Sequence, residues 1–104
     1  MEYALTMDVE FENPDLDRLE TDTSFTMKLA PELVRTYRKR MQAIRAAADE
    51  RDLRSWKSWR YEKLQGKRQH QSSIRLNDRY RLIVELEMAG STKRVRIVGI
   101  EDYH

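Results

Sequence analysis

The chain begins with a two-residue rhythm. Tyr3, Leu5, Met7, Val9 and Phe11 fall on one side, and Thr6, Asp8 and Glu10 on the other. A period of two over this length predicts a half-buried strand across residues 3–11. Asn13-Pro14 predicts a helix start: Asn caps an N-terminus, Pro suits the first helical position, and Asp15 and Asp17 sit at the positive end. That helix is short, with Leu16 and Leu19 as its apolar contacts, and a polar link over residues 21–26 follows. Pro31 opens the longest helix. Leu33, Val34, Tyr37, Met41, Ile44 and Ala48 recur at spacings of three and four and define one apolar face. Asp49 to Asp52 predicts the end of this helix, and a short turn runs through Leu53 to Trp56.

From Trp59 the period returns to two. Strands are expected over residues 59–64, 72–76, 79–87 and 93–101. A turn at Gln65-Gly66-Lys67, a tight hairpin at Asn77-Asp78 and a longer loop over residues 88–92 join them. The order is strand, two helices, then an antiparallel β-meander with the helices packed on one face, which is an α+β fold. A chain of 104 residues fits a single domain, 1–104. No apolar run approaches the roughly 20 residues of a membrane span. The N-terminus lacks the basic start and apolar stretch of a signal peptide. A cytoplasmic protein without a membrane partner is therefore expected. The absence of cysteine excludes disulfides and thiolate metal sites.

Charge changes the picture more than composition does. The net charge of +2 conceals an uneven distribution. Residues 1–24 carry eight acids and one base, so −7, and the remainder carries 19 bases and 10 acids, so +9. A body this basic suits a polyanionic partner, because Lys and Arg that neutralise phosphates release counterions. The plainer alternative is that long charged side chains solvate a small domain.

Side-chain alternation then sorts the strands into faces. Tyr80, Leu82, Val84 and Leu86 share the expected core face, and Arg79, Arg81, Ile83 and Glu85 the other. Ile74 and Leu76 point inward, so Ser73, Arg75 and Asn77 point outward. Arg75, Arg79 and Arg81 thus collect on the outer face. Lys63, Lys67 and Arg68 lie around the turn that leads in. On the last strand Arg94 and Arg96 alternate with Val95 and Ile97, and Asp102-Tyr103-His104 closes it.

A cationic sheet face that ends in Asp, Tyr and His suits cleavage of RNA without a metal. That reaction needs a base for the 2′-OH, an acid for the leaving 5′-oxygen, and cations for the charge building on phosphorus. His serves as acid or base near neutral pH, Arg pairs with phosphate oxygens, and Tyr stacks on a base or donates a proton. Glu62, across the sheet, is a further candidate base. The only other histidine is His70, no His–Glu spacing on a helix suggests a metal site, and there is no Gly-rich phosphate loop. No metal and no cofactor are expected. The same residues also read as a solvated tail beside a basic face that binds RNA without cutting it.

Three ordered stretches add a resemblance. They are Tyr61-Glu62-Lys63-Leu64-Gln65-Gly66, then the run from Ser73 through Ile74, Arg75, Leu76, Asn77, Asp78, Arg79, Tyr80 and Arg81 to Leu82, and the terminal Glu101-Asp102-Tyr103-His104. Together they resemble the HigB branch of the RelE/ParE toxin superfamily. The resemblance covers residues 59–104 by motif and the rest by layout. It implies a ribosome-dependent endoribonuclease acting on translated mRNA. It also implies neutralisation by a cognate antitoxin, a HigA-like helix-turn-helix protein through which the pair binds operator DNA. Carried over by position, Asp102, Tyr103 and His104 match the terminal catalytic residues, and Arg81 the phosphate-stabilising arginine. Where some relatives carry a catalytic His this chain has Glu62, so either Glu62 substitutes for it or His104 acts without it. Where some carry Lys this chain has Gln65, leaving Lys63 and Lys67 to supply positive charge. A ParE-like toxin that poisons DNA gyrase on the same fold is the competing expectation.

Overall fold

A computed structural model describes residues 6–90 and 92–103, with Ala89 through its backbone alone. The expected positions of Tyr3, Leu5 and His104 lie outside these residues. The elements run β1 (Asp8–Phe11), α1 (Pro14–Thr21), α2 (Pro31–Ala46), α3 (Glu50–Ser55), β2 (Glu62–Lys63), β3 (Ser72–Arg75), β4 (Tyr80–Ala89) and β5 (Thr92–Asp102). The strands form one five-stranded sheet in the order β1-β5-β4-β3-β2. β2 through β5 are the antiparallel meander, and β1 joins it in parallel along β5.

The helices begin where the chemistry directs. Asn13 accepts a hydrogen bond from the Asp15 N–H at 2.8 Å and caps α1. Leu16 and Leu19 are buried beneath it, and Leu33, Val34, Tyr37, Met41 and Ile44 form the buried stripe of α2. Two expectations are corrected here. α2 ends at Ala46, and the buried alanine past it is Ala47 rather than Ala48. Asp49 to Asp52 starts a third helix instead of only ending the second. Asp49 accepts from the Arg51 N–H at 2.9 Å, and Asp52 reaches back to the Ala48 N–H at 2.7 Å. Acids belong at the positive end of a helix, so this cluster is a start signal.

The strand expected over residues 59–64 is mostly a turn. Residues Lys57–Trp59 form one turn of 3₁₀ helix, Trp59 is buried, and only Glu62 and Lys63 pair with β3. Arg60 ends that turn in the left-handed region at φ 47°. A non-glycine residue there is strained, and such strain concentrates at functional sites.

One core lies between the helices and the sheet. Ile74, Leu82, Val84, Val95 and Ile97 from the strands, with Leu76 just past β3, meet the buried leucines and Tyr37 of the helices. The Tyr37 hydroxyl donates to the Leu16 carbonyl at 2.6 Å, and burial pushes its pKa up. Tyr61 donates to Glu50 at 3.0 Å, which ties α3 to the sheet margin, and burial moves its pKa up to about 12.

Several N-terminal acids find partners inside the molecule. Glu10 lies 3.1 Å from Arg94 and 3.6 Å from Arg96, Glu12 lies 3.8 Å from Arg96, and Glu20 takes Arg45 at 2.6 Å. Arg38, on the basic side of α2, turns inward and donates to the carbonyls of Leu19, Asp22 and Phe25. It closes the negative end of α1.

Candidate functional site

Register decides what the outer face of the sheet carries. Two rows of residues cross it near the start of β4. One runs Glu62–Ser73–Ile83–Gly99, and the other Arg75–Arg81–Glu101. Between Ile83 and Val84 the register slips: Ile83 pairs with Gly99, and Val84 with Ile97. Val98 is therefore an extra residue on β5, a β-bulge. The bulge reverses the side-chain alternation. Val95 and Ile97 point to the core before it and Ile100 points there after it, so Glu101 faces outward beside Arg81 and Tyr103 follows it. Ile83, expected on the outer face, does face away from the helices and is nevertheless fully buried.

Above these rows lies a cleft of about 150 Å³ lined by Arg60, Glu62, Ser73, Arg75, Arg81 and Tyr103. Arg75 and Arg81 are direct cross-strand partners, an arrangement that like charges disfavour. Arg75 pairs with Asp78 and also lines the cleft. Arg81 sits with its guanidinium 5.5 Å from the Tyr103 ring centroid. Its Nε is enclosed and has no hydrogen-bond partner among the described residues. From the helix side, Arg40 supports this region by donating to the Arg75 carbonyl at 3.2 Å and lying over Trp59. Burial first, and then the Arg75 charge, holds the Arg40 pKa below its usual value.

The end of β5 is fastened to the β3–β4 turn. Asn77 accepts from the N–H groups of Arg79 and Tyr80, at 2.9 and 2.7 Å, and so fixes the turn. The Tyr103 N–H donates to the Arg79 carbonyl at 3.0 Å, and the Tyr103 hydroxyl to the Asn77 carbonyl at 2.9 Å. The aromatic ring is thereby held over the cleft by both ends of its residue. Asp102 accepts from Arg79 Nε at 2.7 Å, which holds the Arg79 pKa above the usual value.

Of the residues singled out in the sequence, Glu62, Arg75, Arg81 and Tyr103 line the cleft. Lys63, Lys67 and Arg79 are exposed and outside its lining, as is Asp102. Arg68 is drawn away to Glu101, which it meets at 2.6 and 3.1 Å. That pairing lowers the Glu101 pKa. Arg60 and Ser73 are cleft residues that sequence reasoning missed. Ser73 was legible as the outward neighbour of Ile74. Arg60 shares the parity of Glu62 in the strand expected over residues 59–64, and the structure brings it to the cleft through a left-handed turn instead. Among the described residues no three His, Cys, Asp or Glu side chains gather as metal ligands would. No helix among them is long and apolar enough to cross a membrane.

A small α+β protein with three helices and a five-stranded sheet has the fold of the RelE-like toxins. A YoeB/ParE toxin from Agrobacterium tumefaciens superposes with a TM-score of 0.62 at 14% identity, covering 94% of this chain and 100% of that one. YafQ from E. coli strain BL21(DE3) superposes with a TM-score of 0.59 at 11% identity, covering 94% of each. No curated protein sequence matches significantly. The chain belongs to the HigB-like toxin family, described as the RelE-like toxin of the type II toxin–antitoxin system HigB, whose model matches residues 9–96. It is thus a type II toxin, and the family implies an antitoxin partner. The match includes Arg60, Glu62, Arg75 and Arg81 and stops before Tyr103.

Proposed function

We propose that the protein is an mRNA interferase, a ribosome-dependent endoribonuclease that cuts translated mRNA by acid–base catalysis. One observation carries this reading: a carboxylate, a fixed aromatic ring and three arginines, Arg60, Arg75 and Arg81, share one cleft. In the proposed reaction Glu62 takes the proton of a ribose 2′-OH. The 2′-oxygen attacks the adjacent phosphorus, and the bond to the 5′-oxygen breaks. His104 gives the leaving oxygen its proton, and the products are a 2′,3′-cyclic phosphate and a 5′-OH. Arg81 and Arg75 stabilise the charge that grows on the non-bridging oxygens. The Tyr103 hydroxyl is already committed to Asn77, so its role is to present a ring on which a base stacks. Asp102 holds Arg79, and Lys63, Lys67 and Arg79 supply exposed charge toward the nucleic-acid backbone. The ribosome presents the mRNA, in the cytoplasm. A HigA-like helix-turn-helix antitoxin neutralises the toxin and carries the pair to operator DNA.

Translation of a defined mRNA in vitro, with 5′ ends mapped by primer extension with and without ribosomes, tests the reading. New ends that depend on ribosomes are expected. Intact mRNA would overturn it and turn attention to a supercoiling assay with DNA gyrase.

A further inference from the structure

Arg68 looks, by sequence, like one more cation for RNA. Three of its five N–H donors are already engaged. Nε donates to Gln71 Oε1 at 3.0 Å, Nη1 to Glu101 Oε1 at 3.1 Å, and Nη2 to Glu101 Oε2 at 2.6 Å. Gln71 in turn donates to Glu85 at 3.0 Å. Glu101 is also the direct cross-strand partner of Arg81. Yet Arg81 reaches it only at 3.4 Å, through one nitrogen. An arginine and a carboxylate frequently form a close two-point pair. Here that pair goes to Arg68.

We propose that Arg68 is a latch on Glu101, occupying both carboxylate oxygens so that the Arg81 guanidinium stays available to a phosphate group in the cleft. Arg68 and Glu101 are then positioning residues, and Arg81 is the group that meets the anion. This rests on the reading of the cleft as a phosphate site. Removing Arg68 alone releases Glu101 to close on Arg81, which costs the site its anion. Removing the carboxylate at the same time restores it. An Arg68 that touched RNA directly would show no such restoration, because its lost charge would still be missing.

The test is titration of the ¹⁵N-labelled protein with inorganic phosphate, read at the Arg81 Nε–H resonance. Arg68→Ala is expected to weaken binding by roughly tenfold, within the coupling range of contacting residues. The double variant Arg68→Ala/Glu101→Gln is expected to bind within about threefold of the unsubstituted protein. Arg68→Lys, which keeps the charge but not the two-point geometry, should fall between. Equal weakness in Arg68→Ala and the double variant overturns the latch, as does an unchanged Arg68→Ala or no saturable phosphate shift at Arg81. If Arg68→Ala fails to fold, Glu101→Gln alone decides: binding weaker than in the unsubstituted protein overturns the proposal. The translation assay run beside it separates the two readings. Absent cleavage with the phosphate pattern intact removes the nuclease and leaves the latch. Cleavage without that pattern does the reverse.

Discussion

The outer sheet face has two ends built from the same residue types, and they behave oppositely. At one end β1, β5 and β4 interleave acids with arginines. The register sets Glu10 beside Arg96 and Arg96 beside Glu85, and sets Asp8 beside Arg94 and Arg94 beside Glu87. Arg96 alone lies within 4 Å of Glu10, Glu12, Glu85 and Glu87. This end is self-neutralising. At the other end Arg75 stands opposite Arg81, with Arg60 at the same cleft. Opposed like charges cost stability; Asp78 and Glu101 offset part of that cost, and in the proposed function an anion offsets the rest. The sign of the charge distinguishes the two ends: at the first, Asp8, Glu10, Glu12, Glu85 and Glu87 surround Arg94 and Arg96, and at the other, Arg60, Arg75 and Arg81 share the cleft lining with Glu62. The Glu85–Gln71–Arg68–Glu101 chain joins them.

The largest test of this contrast substitutes one arginine from each end. Arg81→Ala should lower ribosome-dependent cleavage by about 10²–10³-fold, the usual loss for removing a donor to a developing anion. Thermal unfolding should barely move. Arg96→Ala should do the opposite, costing roughly 1–2 kcal/mol of stability by leaving several carboxylates facing one another, with cleavage kept. Equal effects on activity would erase the distinction. Ile83 lies between the ends and is fully buried. Ile83→Ala should cost about 2–4 kcal/mol in denaturant unfolding and should lower cleavage as well, since the row beneath the cleft loosens.

Smaller effects sharpen the picture. Tyr103→Phe keeps the ring and removes the bond to Asn77, so about 1 kcal/mol or less should be lost and cleavage should fall by less than about tenfold. A drop as deep as that of Arg81→Ala would make the phenol the proton donor instead. Glu101 gives the pH test. Its folded pKa is depressed, mainly by Arg68. The stability it contributes is therefore fully present above the ordinary glutamate pKa of about 4.3 and is lost as pH falls through the lower folded value. Carboxyl ¹³C titration should find Glu101 ionised below that ordinary range, and Arg68→Ala should return it upward.

Much of this was legible along the chain. The Asn13-Pro14 start, the α2 stripe, the inward Ile74 and Leu82, and an outer face with Arg75 and Arg81 all follow from side-chain period and capping chemistry. The acids at Asp49–Asp52 carry a helix-start signal too, since carboxylates favour the positive end of a helix. Other features left no local trace. The inward turn of Arg38, drawn by the carbonyls at the end of α1, depends on a contact between two helices.

The sequence by itself determined the fold class, the core stripe and the candidate chemistry, because periodicity and residue type act over a few neighbours. Which charges neutralise one another was decided only by tertiary structure. Uninterrupted alternation from Val95 and Ile97 would carry Gly99, Glu101 and Tyr103 to the core face. The Val98 bulge turns Glu101 and Tyr103 outward to Arg81. A single extra residue in one strand exchanges the faces of everything after it, and only pairing with β4 reveals where it falls.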